Sequence, residues 1–240
     1  MAEWKAKRFW KEAKAVRGPD GWDVQLDGRP VKTPAKAPLV LPSQALAEAI
    51  AAEWDALEEA VDPSIMPLTR SANAAIDKVA TQFDEVAALI AAYGETDLLC
   101  YRAEGPEALC AQQAAAWDDL LDWAREDLGA PLEVCVGVVP HAQPEESVAR
   151  LRHEVASLDA FALTALHDLV AMSGSLLIGL AALRGRLPEE DLWARSRVDE
   201  NFQESQWGAD EEASVTASFK RGEFLHAVRF YRLSQALPAN

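Results

Sequence analysis

Trp22-Asp23-Val24-Gln25-Leu26-Asp27-Gly28 decides the first part of the fold. The first five of these residues alternate between apolar and polar side chains, which is the period of a half-buried β-strand. The Asp27-Gly28 pair predicts a tight hairpin turn, because both residues tolerate positive φ angles. We therefore expect an entering strand from Arg8 to Val16 and a returning strand at Val31-Lys32-Thr33, with Leu39-Val40-Leu41 as a short fourth strand.

From Ser43 onward the hydrophobic period becomes helical. Ser43 is suited to cap a helix. The large apolar side chains that follow recur every three or four residues on one face, namely Leu46, Ile50, Trp54, Leu57 and Val61. The same reasoning predicts three more helices, from about Thr69 to Ala80, from Gln82 to Tyr93 and from Glu107 to Leu128, with Gly129 ending the last of them.

The remaining sequence predicts one strand and a series of helices. Pro131 to Val138 alternates again and contains β-branched residues, so we interpret it as a strand. Helices follow from Pro144 onward, with breaks near Ser157, Ser173-Gly174-Ser175, Arg184-Gly185, Gly208 and Gly222. These elements predict an α+β fold: a β-rich N-terminal domain with packing helices over residues 1–100, followed by a multihelical C-terminal domain over residues 101–240.

Acidic residues dominate the charge of the chain. Among 240 residues there are 39 Asp and Glu against 23 Lys and Arg, a formal net charge of −16. Because such a surface repels phosphate groups, we expect no nucleic acid and no stable membrane association. A basic protein partner fits better. The exception is a basic cluster at residues 5–17, for which we favour the solvated side of the first strand over a local anion-binding patch.

Motifs of catalytic and metal sites are missing from the sequence. It contains no Walker A motif, no G-x-G-x-x-G and no G-x-S-x-G. The histidines form no H-E-x-x-H motif, and Cys100, Cys110 and Cys135 form no C-x-x-C pair. These motifs therefore give no sequence evidence for a catalytic, cofactor or metal site. The odd number of cysteines and the lack of an apolar signal region at the N-terminus predict a cytosol-like compartment.

The most informative polar segment is Asp199-Glu200-Asn201-Phe202-Gln203, in which acids flank an apolar residue within a predicted helix. Helical spacing places the side chains of this region on two adjoining faces, Asp199, Gln203 and Gln206 on one and Glu200, Glu204 and Trp207 on the other. A mixed acidic and aromatic face suits a basic or amphipathic segment of another chain. The simpler interpretation, a solvated helix face, stays open.

Tryptophan is a second indicator of binding surfaces. Trp54 and Trp117 lie on apolar stripes and are predicted to belong to the core. Trp123, Trp193 and Trp207 fall outside such stripes, so each is a candidate interface residue, although tryptophan is commonly part-buried in any case.

Eight short blocks of sequence resemble, in order, the ATP12 family. These blocks are Arg8-Phe9-Trp10-Lys11-Glu12, Gly28-Arg29-Pro30-Val31-Lys32-Thr33-Pro34, Ala52-Glu53-Trp54-Asp55, Met66-Pro67-Leu68-Thr69-Arg70, Glu95-Thr96-Asp97-Leu98-Leu99-Cys100-Tyr101-Arg102, Trp117-Asp118-Asp119-Leu120-Leu121, Ser173-Gly174-Ser175 and Asp199-Glu200-Asn201-Phe202-Gln203. They extend over roughly residues 8 to 230. No single block is specific, so the resemblance rests on their order.

The resemblance implies a chaperone for assembly of the F1 part of ATP synthase. Members of the family bind the unassembled F1 α subunit and prevent its aggregation until the β subunit replaces the chaperone, without catalysis, nucleotide or metal. An acidic residue important in the family maps to Glu200, next to Asp199. With Glu204 and Trp207 these form the expected partner-binding set. The lack of a mitochondrial transit peptide implies a bacterial member in the cytoplasm, whereas eukaryotic relatives act in the mitochondrial matrix.

Two alternatives come from the residues themselves. One is an enzyme with an acidic cleft between the two domains, which would use Glu95 and Asp97 together with Tyr101 or Arg102. Its expected signature is an apolar pocket that holds acids with a raised pKa. The other is a scaffold that uses the same acidic surface for a different protein partner.

Overall fold

The computed structural model describes residues 7–137, 139 and 141–236. The strands are β1 (Ala13–Arg17), β2 (Trp22–Leu26), β3 (Arg29–Pro30), β4 (Tyr101–Arg102) and β5 (Cys135–Val136). The helices are α1 (Gln44–Asp55), α2 (Pro67–Ala74), α3 (Phe83–Ala91), α4 (Glu107–Asp127), α5 (Glu145–Ala156), α6 (Ala160–Ser173), α7 (Leu176–Leu183), α8 (Glu189–Arg195), α9 (Val198–Trp207) and α10 (Glu211–Ser234). Short 3₁₀ turns lie at Pro63–Ile65, Ala92–Glu95 and Leu98–Cys100, and a π-helical turn at Ala75–Val79 continues α2.

Contacts within the chain define two compact units. One comprises the chain up to Phe83 together with Ala160–Ala165 and the chain from Arg229 onward. The other comprises Asp84–Asp159 and Leu166–Val228. The predicted α+β class is confirmed, since a small N-terminal sheet is followed by helices. A domain boundary between residues 100 and 101 stays a prediction.

The predicted hairpin forms in the first unit. β1 and β2 pair antiparallel along their whole length, and β3 pairs antiparallel with β2. Val24 and Leu26 are buried, as their alternation predicts. Asp27 and Gly28 have φ angles of 48° and 80°, which is the left-handed backbone that this turn requires. The Asp27 carboxylate also accepts a hydrogen bond from the Lys11 backbone N–H at 3.1 Å, which ties the entering chain to the turn.

Two of the other predicted strands are placed wrongly and one is not a strand. β1 begins at Ala13 instead of at Arg8, and β3 is complete before Val31. The Leu39–Leu41 segment forms only an isolated bridge with β2. The apolar side chains of Val31 and Leu39 are nevertheless buried, because the backbone N–H of Leu39 bonds to the Val31 carbonyl at 3.3 Å and folds the segment back onto the sheet.

Helix α1 begins as predicted and ends early. The Ser43 hydroxyl accepts a hydrogen bond from a backbone N–H of the first turn at 3.1 Å. The helix ends at Asp55, however, and does not continue to Val61. The Arg8 guanidinium donates to the backbone carbonyls of Asp55, at 2.8 Å, and of Leu57. These contacts satisfy carbonyl groups at and just after the helix end, which have no partner within the helix.

Helix α2 is capped by a residue that the sequence analysis did not assign to this role. Thr69 was expected at the start of a helix but lies inside α2. The Glu53 carboxylate of α1 accepts hydrogen bonds from the backbone N–H groups of Leu68 and Thr69, at 2.7 and 2.8 Å, and from the Thr69 hydroxyl at 2.7 Å. An acid at a helix N-terminus is favourable, so Glu53 joins two of the sequence blocks named above.

The basic cluster is partly used inside the protein. Arg8 serves the end of α1, and the Lys14 ammonium pairs with the Glu12 carboxylate at 2.8 Å. The Arg17 guanidinium lies 5.5 Å from the ring of Trp22. Lys5 lies outside the described residues, and a contact of this cluster with a partner stays a prediction.

The helical breaks in the second unit follow the sequence with two exceptions, one of which is an unpredicted break at Ser196-Arg197 between α8 and α9. Helices end after Ala156, at Gly174-Ser175, after Leu183 and at Gly208, as predicted. Gly222 does not interrupt a helix, because α10 runs through it from Glu211 to Ser234. The strand predicted from Pro131 is reduced to β5, which pairs in parallel with β4. Val138, at the end of that prediction, lies outside the described residues.

Among the described residues, no helix is both long enough and apolar enough to span a membrane.

Candidate partner-binding surface

Helix α9 carries all four residues predicted to bind a partner. Phe202 is the buried residue of this helix and fixes it to the core, and α9 packs against α4. The helix ends at Gly208, whose φ of 87° suits glycine and whose N–H bonds to the Glu204 carbonyl at 2.9 Å. The direction of α9 is therefore fixed by one apolar anchor and a defined end, and its acids are held in fixed positions.

Asp199 is tied to the interior of its unit. Its Oδ1 accepts a hydrogen bond from the Gln113 side-chain N–H at 2.6 Å. Gln113 is buried, and its carbonyl oxygen accepts in turn from the Ala103 backbone N–H at 2.9 Å. Asp199 is half-buried, and one of its carboxylate oxygens is used to position α9 on α4. Any contact of Asp199 with a partner would therefore be added to this structural role.

Glu200 is the more available acid. Its carboxylate accepts a hydrogen bond from the Arg197 guanidinium at 2.6 Å, and 46% of its side chain is exposed. Arg197 is mostly buried and also lies 6.0 Å from the ring of Trp193. Because Arg197 is mostly buried, losing its carboxylate would be costly, but a basic group of another chain can contact the exposed side of Glu200 without displacing Arg197.

A cavity of about 470 Å³ lies beside the first half of α9. Asp199, Glu200 and Gln203 line it from α9, the turn between α6 and α7 lines it at Ser173 and Gly174, and Lys220 lines it from α10. This cavity brings together two of the sequence blocks, Ser173-Gly174-Ser175 and Asp199-Glu200-Asn201-Phe202-Gln203. Its lining combines apolar side chains with polar ones and carries both signs of charge, which suits reversible binding of a charged side chain.

Glu204 and Trp207 lie further along α9, outside the lining of this cavity. Glu204 is half-buried. Trp207 exposes 80% of its surface. An indole so exposed is costly in water and is typical of an anchor for another protein. The structure thus places Asp199 and Glu200 at a cavity and Trp207 at the open end of the same helix.

The other two tryptophan candidates are corrected. Trp123 and Trp193 are 5% and 7% exposed and belong to the core. The Arg186 guanidinium lies 5.6 Å from the Trp123 ring, and the Trp193 ring lies 5.8 Å from that of Phe224. Both residues fall outside the apolar stripe of their own helix and are nevertheless buried, because neighbouring elements cover them from a second side. Trp117 is buried as predicted.

Sequence reasoning missed two exposed apolar residues on α10. Val215 and Phe219 are 66% and 65% exposed. The signal was available, since an apolar pair spaced by four residues follows the acidic segment Asp210-Glu211-Glu212 with no other large apolar residue between them. It was overlooked because a lone pair is too short to define a helical stripe.

Asp97, the acid of the alternative enzyme hypothesis, has a structural role. Its carboxylate is fully buried and accepts hydrogen bonds from the Ser175 hydroxyl at 2.8 Å and from the backbone N–H groups of Leu99 and Leu177, both at 3.1 Å. Burial raises the pKa of Asp97, and these hydrogen bonds oppose that shift. The carboxylate caps the N-terminus of α7, so its raised pKa follows from its position in the core.

Glu95 does not join Asp97 in an active site. Glu95 is exposed and lines a separate cavity of about 760 Å³ with His141 and Arg152, and Asp97 is not part of that lining. Arg102 donates to the Asp118 carboxylate at 2.8 Å, which is a structural ion pair. Across the residues that the structure describes, no three His, Cys, Asp or Glu side chains are grouped to hold a metal ion.

Comparison with known proteins decides the family. The family model of the ATP12 chaperone protein matches residues 7–125. The crystal structure of Atp12 from Paracoccus denitrificans aligns with a TM-score of 0.94 at 53% sequence identity and covers 97% of this chain and all of that one. The chain belongs to the ATP12 family.

Other ATP12-like proteins agree. A protein of known structure from Agrobacterium tumefaciens is 39% identical, with a TM-score of 0.90 over 95% of this chain and 86% of that one. The mitochondrial protein atp12 of Schizosaccharomyces pombe is 28% identical over 219 residues, which are 86% of this chain and 75% of that protein. An aspartate-to-lysine mutant of the Paracoccus Atp12 also aligns with a TM-score of 0.94.

Membership of the ATP12 family confirms the predicted family and the predicted class, a chaperone in ATP synthase assembly that is not an enzyme. The match to the family model ends at residue 125, before α9 begins. The Paracoccus Atp12 structure, in contrast, aligns over 97% of the chain. A binding role for the four α9 residues therefore stays a prediction.

Proposed function

We propose that this protein binds the unassembled α subunit of F1 ATP synthase and shields it from aggregation until the β subunit replaces the chaperone. Glu200 is the centre of the binding surface, with Asp199, Glu204 and Trp207 around it. The observation that carries the proposal is the combination, on one helix, of a half-exposed carboxylate beside a charged cavity and an indole that is 80% exposed.

The electrostatics of this region favour a basic partner. Between Val198 and Phe219 the chain has six acidic residues and no lysine or arginine. Exposed charges of one sign accelerate association and select the partner, and they contribute less to final affinity. An assembly chaperone has to release its client, and a surface of this kind permits that. An unassembled subunit exposes apolar surface that would otherwise aggregate, and Trp207 provides an apolar contact for it.

The proposed compartment is the bacterial cytoplasm. Its support is the similarity to Paracoccus and Agrobacterium proteins at 53% and 39% identity. The fission-yeast relative, in comparison, is named as a mitochondrial protein and is 28% identical.

The test is a pull-down with isolated F1 α and β subunits, each offered separately. We expect retention of α alone, weaker at high salt because charges are screened. Glu200→Lys should abolish that retention, since lysine repels a basic client and leaves Arg197 without its carboxylate. Glu146→Lys is the matched control, because Glu146 is also exposed and in the first turn of a helix, α5.

Two outcomes of the pull-down would contradict the proposal. Full retention of α by Glu200→Lys would show that α9 is not the binding surface. Retention of neither subunit by the natural protein would exclude the α subunit as client and favour a scaffold for another protein. Unfolding curves of both variants establish that the fold is intact, and the aspartate-to-lysine mutant of the Paracoccus protein is a precedent for an intact fold after such a change.

A further inference from the structure

The first three turns of α10 have no buried side chain. From Glu211 to Gly222 every residue is exposed except Ala217 and Lys220, which are half-buried. Apolar anchoring begins only further on, where Phe224, Ala227 and Val228 are buried. Before that point, the Arg221 guanidinium donates to the Glu190 carboxylate of α8 at 2.8 Å, with both side chains about half exposed. Helices in proteins owe most of their stability to packing of one face, and this part of α10 has no such face within the chain.

Val215 and Phe219 nevertheless form an apolar pair on this segment. They are four residues apart, so their side chains lie on one face of the helix. With about 100° of rotation per residue, Phe224 lies about 180° from Val215 and about 140° from Phe219. The core that buries Phe224 therefore cannot also cover the pair, which faces away from it.

Gly222 lies on the same face, about 20° from Val215 around the helix. A Cβ atom at this position would meet nothing within 4 Å, so no packing inside the described chain requires glycine. Glycine in a helix interior is unfavourable compared with alanine. Its common use is the close approach of another backbone, and a partner helix crossing at this point would use it.

Charge indicates what that partner carries. Glu211 and Glu212 begin α10, and both lie on the face of Val215 and Phe219, about 40° and 60° from Val215. Six acids and no base occur between Val198 and Phe219. A complementary segment is apolar where it meets the pair and basic where it meets the two glutamates.

We propose that the α10 face, defined as Glu211, Glu212, Val215, Phe219 and Gly222, docks an amphipathic helical segment of the client, with basic residues at the end that meets the glutamates. The apolar side of the client helix packs on Val215 and Phe219, and its backbone crosses at Gly222. This inference rests on the proposed function, since the client is the protein that α9 binds, and it extends the binding surface by one helix.

The test measures binding of the isolated F1 α subunit to the full chain and to three variants by titration at low salt. Phe219→Ser should weaken binding about tenfold or more, because it removes an aromatic anchor. Gly222→Gln should weaken binding several-fold while the melting temperature stays the same or rises, because glutamine favours helix but blocks close approach. Leu89→Ser is the control, since Leu89 is 59% exposed on α3 and should bind as the natural chain does.

The outcomes separate the two proposals. If the natural chain binds α and both α10 variants bind equally well, the α10 face is wrong and the proposed function stands. If the natural chain does not bind α, the proposed function fails first. Analytical sedimentation tests whether a second copy of this chain occupies the α10 face. If the natural chain is a dimer and Phe219→Ser makes it a monomer, the face is a dimer interface and the proposal of a client helix is wrong.

Discussion

Helix α7 and the first half of α10 differ completely in burial. All eight residues of α7 are buried, whereas none between Glu211 and Gly222 is. Each segment contains one glycine. A Cβ on Gly179 would lie 2.8 Å from Leu166 Cδ1, while a Cβ on Gly222 would meet nothing. Glycine is therefore required by packing within the chain in α7, whereas in α10 no contact within the described chain requires it.

The two helices also differ in how their N-termini are capped. Asp97 caps α7 from a distant part of the chain and is fully buried, with Ser175 as the local cap. Asp210 caps α10, its carboxylate accepting from the Ala213 backbone N–H at 2.8 Å in full exposure to solvent. Burial makes the first cap essential, because the donors that it satisfies have no access to water.

The largest effect is expected for removal of the buried cap. Asp97→Ala leaves the Ser175 hydroxyl and the backbone N–H groups of Leu99 and Leu177 without their acceptor. Each unsatisfied buried donor costs about 1–3 kcal/mol, so the loss of the acceptor for three of them should lower the free energy of unfolding by about 3 kcal/mol or more. Asp210→Ala should cost about 1 kcal/mol, as exposed caps do. Chemical denaturation of both variants measures the difference, and equal losses would contradict the comparison.

The next largest effects are expected for alanine substitutions of the two glycines, which should change the free energy of unfolding in opposite directions. Gly222→Ala should raise the free energy of unfolding by about 0.5–1 kcal/mol, because alanine is the better helix former. Gly179→Ala should lower it by about 1 kcal/mol, since overpacking of about 1–3 kcal/mol against Leu166 and Val170 exceeds that gain. Thermal or denaturant unfolding compares the pair. Stabilisation by both substitutions would mean that the core around α7 adapts to a methyl group.

The smallest effect concerns His167 on α6, the helix that precedes α7, where 44% of its side chain is exposed. A hydrogen bond from its Nδ1 to the adjacent Asp168 carboxylate, 2.9 Å long, raises the pKa of His167 above its usual 6.5, against the effect of burial. The folded state therefore holds the proton more tightly than the unfolded state. This stabilisation is fully present below pH 6.5 and disappears as the pH rises through the raised pKa.

His167→Gln removes this dependence. The difference in unfolding free energy between the natural protein and the variant should therefore be larger at pH 5.5 than at pH 8.5. Denaturant titrations at the two pH values measure it. A difference that is constant, or larger at pH 8.5, would show that the Asp168 carboxylate does not stabilise the protonated ring.

Local patterns predicted the elements that depend on neighbouring residues. The alternation from Trp22 and the Asp27-Gly28 pair predicted the hairpin, and Ser43 predicted the start of α1. Predictions were wrong where a distant residue decides the outcome. Helix α1 ends at Asp55, six residues before the predicted Val61, where Arg8 binds a carbonyl of the helix end. Glu53 caps α2 in the same way from a distance, and no local window contains either contact.

The candidate site shows the same limit. The acidic pattern on α9 and the exposed Trp207 could be predicted from helical spacing. The sequence did not distinguish Asp199, which is held by Gln113, from Glu200, which is half-exposed beside a cavity. It also treated Trp193 as equivalent to Trp207, because periodicity within one helix does not report what packs on it from outside.

By itself the sequence determined the α+β class, the acidic character, the family and the helix that carries the candidate acids. These features follow from composition, short-range periodicity and the order of short blocks. Only the tertiary structure decided which acid is buried and which is available, and which apolar residues lie outside the core. Burial depends on residues far apart in the chain, as the hydrogen bonds from Asp97 to Ser175 and from Gln113 to Asp199 illustrate.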